Sequence, residues 1–216
     1  MTSRTLTCSA VLFDCDGVLV DSDASVMQAW GDWAVHHGLD PVTVGEMVHG
    51  RRAADTVALL IDEVGRSEAV ELINRLEIDG AVAVPAIAGA PELTRSIPAE
   101  QWAVVTSGTR LLATARITAA GLAVPDVLVT ADDVRLGKPD PEGFLAAAAA
   151  LGQLPVQAVV LEDSPAGVEA ARAAGVGAVI GIGERALQTD ADVVVTDLTA
   201  LSWTGSGLRA ENPLRA

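Results

Sequence analysis

The stretch VLFDCDGVLVDS, residues 11–22, decides how the chain is read. An apolar run stops at Asp14, a second acid follows at Asp16, and Gly17 comes at once. Residues 9–14, SAVLFD, read as a strand whose unbroken apolar run belongs to a sheet covered on both faces. Two acids two residues apart on a straight strand share a face, and like charges repel unless something positive joins them. At a strand end the chain must turn, so the second carboxylate can be aimed apart from the first. Cys15 lies between them and points to the opposite side if strand alternation holds, as a buried structural residue.

Outward from this stretch, residues 23–38 read as a helix, with Val26, Trp30, Trp33 and Ala34 at helical spacing and Gly38 as its stop. Trp30 and Trp33 are expected in a core rather than as a ligand platform. Two further helical patterns follow near 51–64 and 67–78, and no convincing strand lies between residues 20 and 84. Then the rhythm changes. Strand-like QWAVVTSG (101–108), DVLVT (126–130) and QAVVLED (157–163) alternate with helix-like TRLLATARITAAG (109–121), DPEGFLAAAAALG (140–152) and SPAGVEAARAAG (164–175). GAVIGIG (177–183) and DVVVT (192–196) add two short strands. Pro141 near a helix start and Gly152 after its end support the assignment.

Strands alternating with helices indicate an α/β fold, a Rossmann-like parallel sheet core with a small α-helical insert after the first strand. The boundaries predicted are residues 1–19 and 87–216 for the core and 20–86 for the insert. The tail from Thr204 is expected to fray.

Half of the 216 residues are hydrophobic, enough for a sizeable core. The formal net charge of −15 argues against nucleic acid or an anionic membrane as partner, since those need clustered Lys and Arg. Two cysteines, Cys8 and Cys15, make neither a disulfide framework nor a zinc pattern. The first ten residues lack the apolar region of a signal peptide, so a soluble, cytoplasmic protein is expected, a monomer or weak homodimer.

In open parallel sheets, ligands bind outside the carboxyl ends of the strands. Asp14 and Asp16 fall at the end of the first strand, and Thr106, Ser107 and Gly108 at the end of the second. GKPDP, residues 137–141, follows the third, and Glu162 and Asp163 end the fourth. Each signal alone is weak; the ordered set is strong. Oxygen ligands without His or Cys suit a hard ion, and Mg²⁺ is the default. It would keep Asp14 ionised as a nucleophile, with Lys138 as a second positive charge. The Ser107 hydroxyl and the backbone at Gly108 offer donors to an anion. That kit stabilises charge on a transferring phosphoryl group.

FDCDGVLVDS (13–22), VVTSGT (104–109), GKPDPEGF (137–144) and VLEDSPAGVEAARAAG (160–175) together resemble the four motifs of the haloacid dehalogenase-like hydrolases. The likeness is to the branch with a helical cap after the first strand, which includes phosphatases and β-phosphoglucomutase. VHGRRAADTV (48–57) most resembles the glycerol-3-phosphatase and 2-deoxyglucose-6-phosphatase group. The resemblance implies that Asp14 forms an aspartyl-phosphate and that Asp16 protonates the leaving alcohol and then activates water. It implies phosphoryl binding by Ser107 and Lys138. Mg²⁺ would be held by Asp14, the Asp16 carbonyl and Asp163, with Glu162 as ligand or as a partner behind the ligands. His49, Gly50 and Arg52 match the cap motif, and Arg52 is the first choice to read the hydroxyls of a small sugar or polyol phosphate.

Three rivals differ by residue. Mutases of this type carry a cap histidine shortly after the first motif, where this chain has Val26 and Met27, its first histidine being His36. Haloacid dehalogenases lack the second aspartate, here Asp16. Receiver-type signalling domains use similar acids but are about half this length and lack a cap.

Overall fold

The structure, a computed structural model, describes residues 2–215. The chain opens with β1 (Ser3–Thr7) and β2 (Ala10–Phe13), followed by four helices, α1 (Asp23–His36), α2 (Pro41–Gly45), α3 (Ala53–Leu60) and α4 (Arg66–Gly80). Next come α5 (Ala90–Ser96), β3 (Trp102–Val105), α6 (Arg110–Ala119), β4 (Leu128–Val129), α7 (Glu142–Ala150), β5 (Ala158–Glu162), α8 (Pro165–Ala173), β6 (Ala178–Ile182) and β7 (Val193–Val195). The chain closes on β8 (Leu201–Trp203) and β9 (Gly207–Glu211).

Six strands form one sheet in the order β4-β3-β2-β5-β6-β7, every pair parallel. The expected α/β fold is borne out. Side chains alternate across this sheet. Val11, Phe13, Val104, Leu161 and Ile180 face one apolar layer with Leu93 and Ile117. Leu12, Val105, Val160 and Val179 face the other, with Phe144 and Val168. Cys15 is fully buried in the first layer, as alternation from Phe13 predicts.

Between β2 and α5 the helices build a third, separate apolar cluster around Trp30, Trp33, Val57, Ala69 and Ile73. Trp33 is fully buried and donates its indole N–H to the Ala69 carbonyl at 2.9 Å, which ties α1 to α4. No helix among the described residues is long and apolar enough to cross a membrane.

The tail corrects the sequence reading. It does not fray: β9 pairs antiparallel with β1, from Ser3 opposite Glu211 to Thr7 opposite Gly207, and β8 adds a third strand. Leu208 and Ala210 are fully buried against the main core, while Arg209 and Glu211 face out. The alternation was present in GLRAE, but its partner lies some two hundred residues away in the polar segment SRTLT, which has no apolar pattern of its own.

Candidate active site

The strand order reverses direction between β2 and β5, and the carboxyl ends of these neighbours form the crevice where α/β sheets bind ligands. Register does the positioning. Phe13 pairs with Leu161, and the Asp14 N–H donates to the Leu161 carbonyl at 2.9 Å, so Asp14 and Glu162 emerge side by side. Past Asp14 the chain turns tightly, with the N–H groups of Leu19 and Val20 donating to the Cys15 carbonyl at 2.8 and 3.0 Å. Gly17 takes a left-handed φ of 77°, and a Cβ there would overlap the Asp163 carboxylate. That turn separates Asp16 from Asp14 and brings the backbone against the neighbouring acid.

Lys138 reaches this crevice from the loop after β4. Its Nζ donates to Asp14 Oδ1 at 2.6 Å, Glu162 Oε1 at 2.6 Å and the Val105 carbonyl at 3.1 Å. Burial alone would pull the ammonium pKa down, but attraction by Asp14 and Glu162 outweighs it and holds it above its ordinary value. Glu162 is fully buried, and its second oxygen accepts from the N–H groups of Asp163 and Ser164 at 2.9 Å and the Ser164 hydroxyl at 3.0 Å. Ser164 caps α8 by accepting from the Gly167 N–H at 3.1 Å. A Cβ at position 167 would overlap the Glu162 carboxylate, so glycine there permits the close approach.

One oxygen each from Asp14, Glu162 and Asp163 lie within 4.8 Å of one another. Two cations face these three carboxylates: Lys138, and Arg185, which donates to Asp163 and also to Asp23 at 2.8 Å. The balance leaves the acids short of positive charge. Burial pushes Asp14 well above the ordinary carboxylate range, against the pull of Lys138 and with added repulsion from Glu162 and Asp163. Asp163 is pushed up to about 7, first by burial and then by Glu162, while Arg185 acts in the opposite sense. A buried, oxygen-only donor set lacking positive charge fits a divalent cation.

A cavity of about 520 Å³ opens over this edge. Asp14, Asp16, Ser107, Gly108 and Asp163 line it from the sheet side, and His49, Arg51, Arg52, Asn74 and Glu77 from the helices. The structure therefore brings together every residue the sequence singled out, with Lys138 and Glu162 in the layer beneath. A family pattern described as haloacid dehalogenase-like hydrolase matches residues 8–175.

The chain belongs to the haloacid dehalogenase-like hydrolases.

Among curated relatives of this hydrolase, hexitol phosphatase A of Escherichia coli K12 is 43% identical over 178 residues, covering 78% of this chain and 80% of that protein. Validoxylamine A 7'-phosphate phosphatase of Streptomyces hygroscopicus subsp. limoneus is 37% identical over 207 residues, covering 91% and 97%. A crystal structure of a hydrolase from Pseudomonas syringae matches with a TM-score of 0.80 at 25% identity, covering 88% of this chain and 94% of that one. The resemblance read from the motifs, and the expectation of a hydrolytic enzyme, are borne out.

The cavity residues differ in how far protein partners occupy their side chains. Arg52 donates to both carboxylate oxygens of Asp55, at 2.7 and 2.8 Å, and to the Val134 and Arg135 carbonyls at 3.2 and 3.1 Å. Its guanidinium is occupied in tying the helical insert to the loop before Lys138. Arg51, its neighbour, lines the same cavity and has no hydrogen-bond partner for its side chain among the described residues. His49 stands 3.7 Å from Asp23, and burial, then Arg185, holds its pKa below the usual value. Ser107 donates its hydroxyl to the Gly50 carbonyl at 2.8 Å, a second tie from sheet edge to insert.

Sequence reading missed three charged groups: Arg185, Glu77 and Arg116. Arg116 on α6 is only 2% exposed, yet it donates to Asp16 Oδ1 at 2.9 Å and to Glu77 Oε1 on α4 at 3.4 Å. The signal was available. On α6 the buried positions are Leu112, Ala113, Arg116 and Ile117, and on α4 they are Ala69, Ile73 and Glu77. Each helix carries one charge on its apolar stripe, and a buried charge requires a partner.

Proposed function

We propose that the protein is a Mg²⁺-dependent phosphatase that hydrolyses a small sugar or polyol phosphate through an aspartyl-phosphate. The observation that carries this reading is the pairing at the crevice. Asp14 is buried and gripped on Oδ1 by Lys138, while Asp16 opens onto the same cavity two residues on. In the first step a carboxylate oxygen of Asp14 attacks phosphorus and the bond from phosphorus to the ester oxygen breaks. The departing oxygen takes a proton from Asp16 and leaves as the alcohol. In the second step water attacks the same phosphorus and gives a proton back to Asp16. The bond from phosphorus to Asp14 breaks, releasing inorganic phosphate and restoring both side chains.

Lys138, the Ser107 hydroxyl and the backbone at Gly108 would serve phosphoryl oxygens when substrate enters, Lys138 giving up the Val105 carbonyl and Ser107 the Gly50 carbonyl, while Glu162 acts mainly by holding Lys138. Asp14 and Asp163, with the Asp16 carbonyl, would hold Mg²⁺; Glu162 stands adjacent with both oxygens already occupied by donors. When bound, the cation neutralises the acids and offsets the charge on the phosphoryl group. Residues 20–86 act as the cap, bringing Arg51 and Asn74 over the leaving group. The named substrates of the relatives support a sugar or polyol. A mutase would need a histidine on α1 near the acids, and that helix instead presents Val26 and Trp30 to the cavity.

The test is phosphate release across a panel of sugar and polyol phosphates, with and without Mg²⁺, alongside detection of a covalent adduct of one phosphoryl mass on the Asp14 peptide. A chain that releases no phosphate from any of them, or turns over without Asp14, would refute the reading.

A further inference from the structure

The arrangement around Asp16 reaches beyond the reacting groups themselves. Its Oδ1 accepts two hydrogen bonds, from the Ser22 hydroxyl at 2.6 Å and from Arg116 Nη1 at 2.9 Å. The carboxylate is thus held by one oxygen, and Oδ2 has no protein donor among the described residues. Arg116 is itself buried, and its second terminal nitrogen donates to Glu77 Oε1 at 3.4 Å. Its Nε has no protein partner among the described residues. A charge buried this deeply requires partners, and Arg116 finds them in two carboxylates on separate parts of the chain, Asp16 and Glu77. Glu77 is also buried and comes from α4, in the helical insert, whereas Arg116 comes from α6, in the sheet domain, and the two helices pack together.

We infer that Arg116 is the positioning residue of the proton-handling group: with Glu77 behind it, it fixes the Asp16 carboxyl so that Oδ2 faces the scissile oxygen and then the attacking water. Because Glu77 lies on the insert, the orientation of Asp16 is completed only when α4 is seated on α6. Seating the insert and readying the acid are then one event. The inference rests on the two-step reading above and deepens it.

That reading supplies a discriminating assay. p-Nitrophenolate leaves without a proton, so mispositioning Asp16 spares the first step for p-nitrophenyl phosphate and slows only the second. An alkoxide needs the proton, so a polyol phosphate such as glycerol phosphate is slowed from the first step. Arg116→Met should lower steady-state kcat ~10–100-fold for both substrates. With p-nitrophenyl phosphate it should also produce a burst approaching one nitrophenolate per enzyme, with phosphorylated enzyme accumulating. With glycerol phosphate there should be no burst. Arg116→Lys should recover part of the rate. Arg116→Met leaves Glu77 buried without a partner and can cost the fold, so the isosteric Glu77→Gln is the second variant, with a ~3–10-fold loss and the same burst. In an Asp16→Asn background, neither substitution should lower the rate further.

Loss of rate without a burst, or loss that persists on top of Asp16→Asn, would make Arg116 a substrate-binding or fold residue and overturn the inference. If Asp16→Asn is crippled while Arg116→Met and Glu77→Gln both turn over normally, only the present inference falls. If Asp16→Asn itself turns over normally, the two-step reading falls and takes this with it.

Discussion

The sheet edge and the helical insert face each other across one cavity, and they are held by different physics. At the sheet edge, Asp14 and Glu162 emerge from neighbouring strands locked in register, and the buried Lys138 grips both at 2.6 Å. The insert has its own apolar cluster, separate from the two that sandwich the sheet. It meets the site through polar ties: Ser107 to the Gly50 carbonyl, Arg52 to the Val134 and Arg135 carbonyls, and Arg116 to Glu77. Apolar clusters resist exchange because leaving them exposes surface to water. A polar tie exchanges for water at a net cost of about 1 kcal/mol. On the proposed reading, the chemistry sits on the part fixed by strand register and buried contacts, and selection on the part joined to it by polar ties.

The sharpest way to break this comparison is at the rigid side. Asp14→Asn should lower phosphate release by ~10⁴-fold or more, the scale of removing a nucleophile, with circular dichroism unchanged. Activity that survives in the folded variant would mean the sheet edge is not where the chemistry happens. Removing the cation comes next. Excess chelator should reduce the rate by ~10²-fold or more and Mg²⁺ should restore it, while Ca²⁺ should substitute poorly because it prefers longer bonds and more ligands. Asp163→Asn should resemble chelated enzyme, and full turnover in chelator would remove the metal from the mechanism.

On the movable side the two adjacent arginines should separate. Arg51→Ala is expected to lower kcat/KM by ~10-fold for the best sugar or polyol phosphate and to leave p-nitrophenyl phosphate nearly unchanged, since only the former has hydroxyls to read. Arg52→Ala should lower both substrates alike, by ~5-fold, because its donors hold the insert to the loop before Lys138. The reverse pattern would exchange their roles.

The smallest effect is on stability. Asp163 titrates at about 7 in the folded chain, against roughly 3.9 when unfolded. Between those values the folded state keeps a proton that the unfolded state has lost, so folding stability falls as pH rises through the window. Asp14, shifted in the same direction by burial, adds to the trend. The melting temperature of chelated protein should drop by ~5 °C between pH 5 and 7.5. Mg²⁺ should raise it more at 7.5 than at 5. A melting temperature that rises over that interval would contradict the charge balance assigned to the site.

How legible each part was depends on where the partner lies in the chain. Strand ends, caps and tight turns are written within a few residues, so Asp14, Asp16, Ser107, Glu162 and Asp163 could be assigned to one edge from the spacing of apolar runs. The four core motifs, each a short stretch, were recognised by their resemblance to the family. The tail was misread because GLRAE needs the polar strand SRTLT to become a strand at all. Arg52 was matched to substrate through the cap motif it belongs to; its bonds to Asp55 and to carbonyls some eighty residues on were not legible from that stretch.

The sequence by itself determined the alternation of strands and helices, the residues that meet at the carboxyl edge, and the oxygen-only character of the acidic cluster there. These follow from local periodicity and from the rule that parallel strands deliver their ends to the same side. Only the tertiary structure decided that Arg116 and Glu77, each an anomalous charge on its own helix stripe, answer one another across the seam between insert and sheet. It also decided that the same Arg116 donates to Asp16 Oδ1, the contact on which the inference about Asp16 rests. A buried charge announces that it needs a partner, but which partner depends on how two helices pack, and no short stretch of chain contains that information.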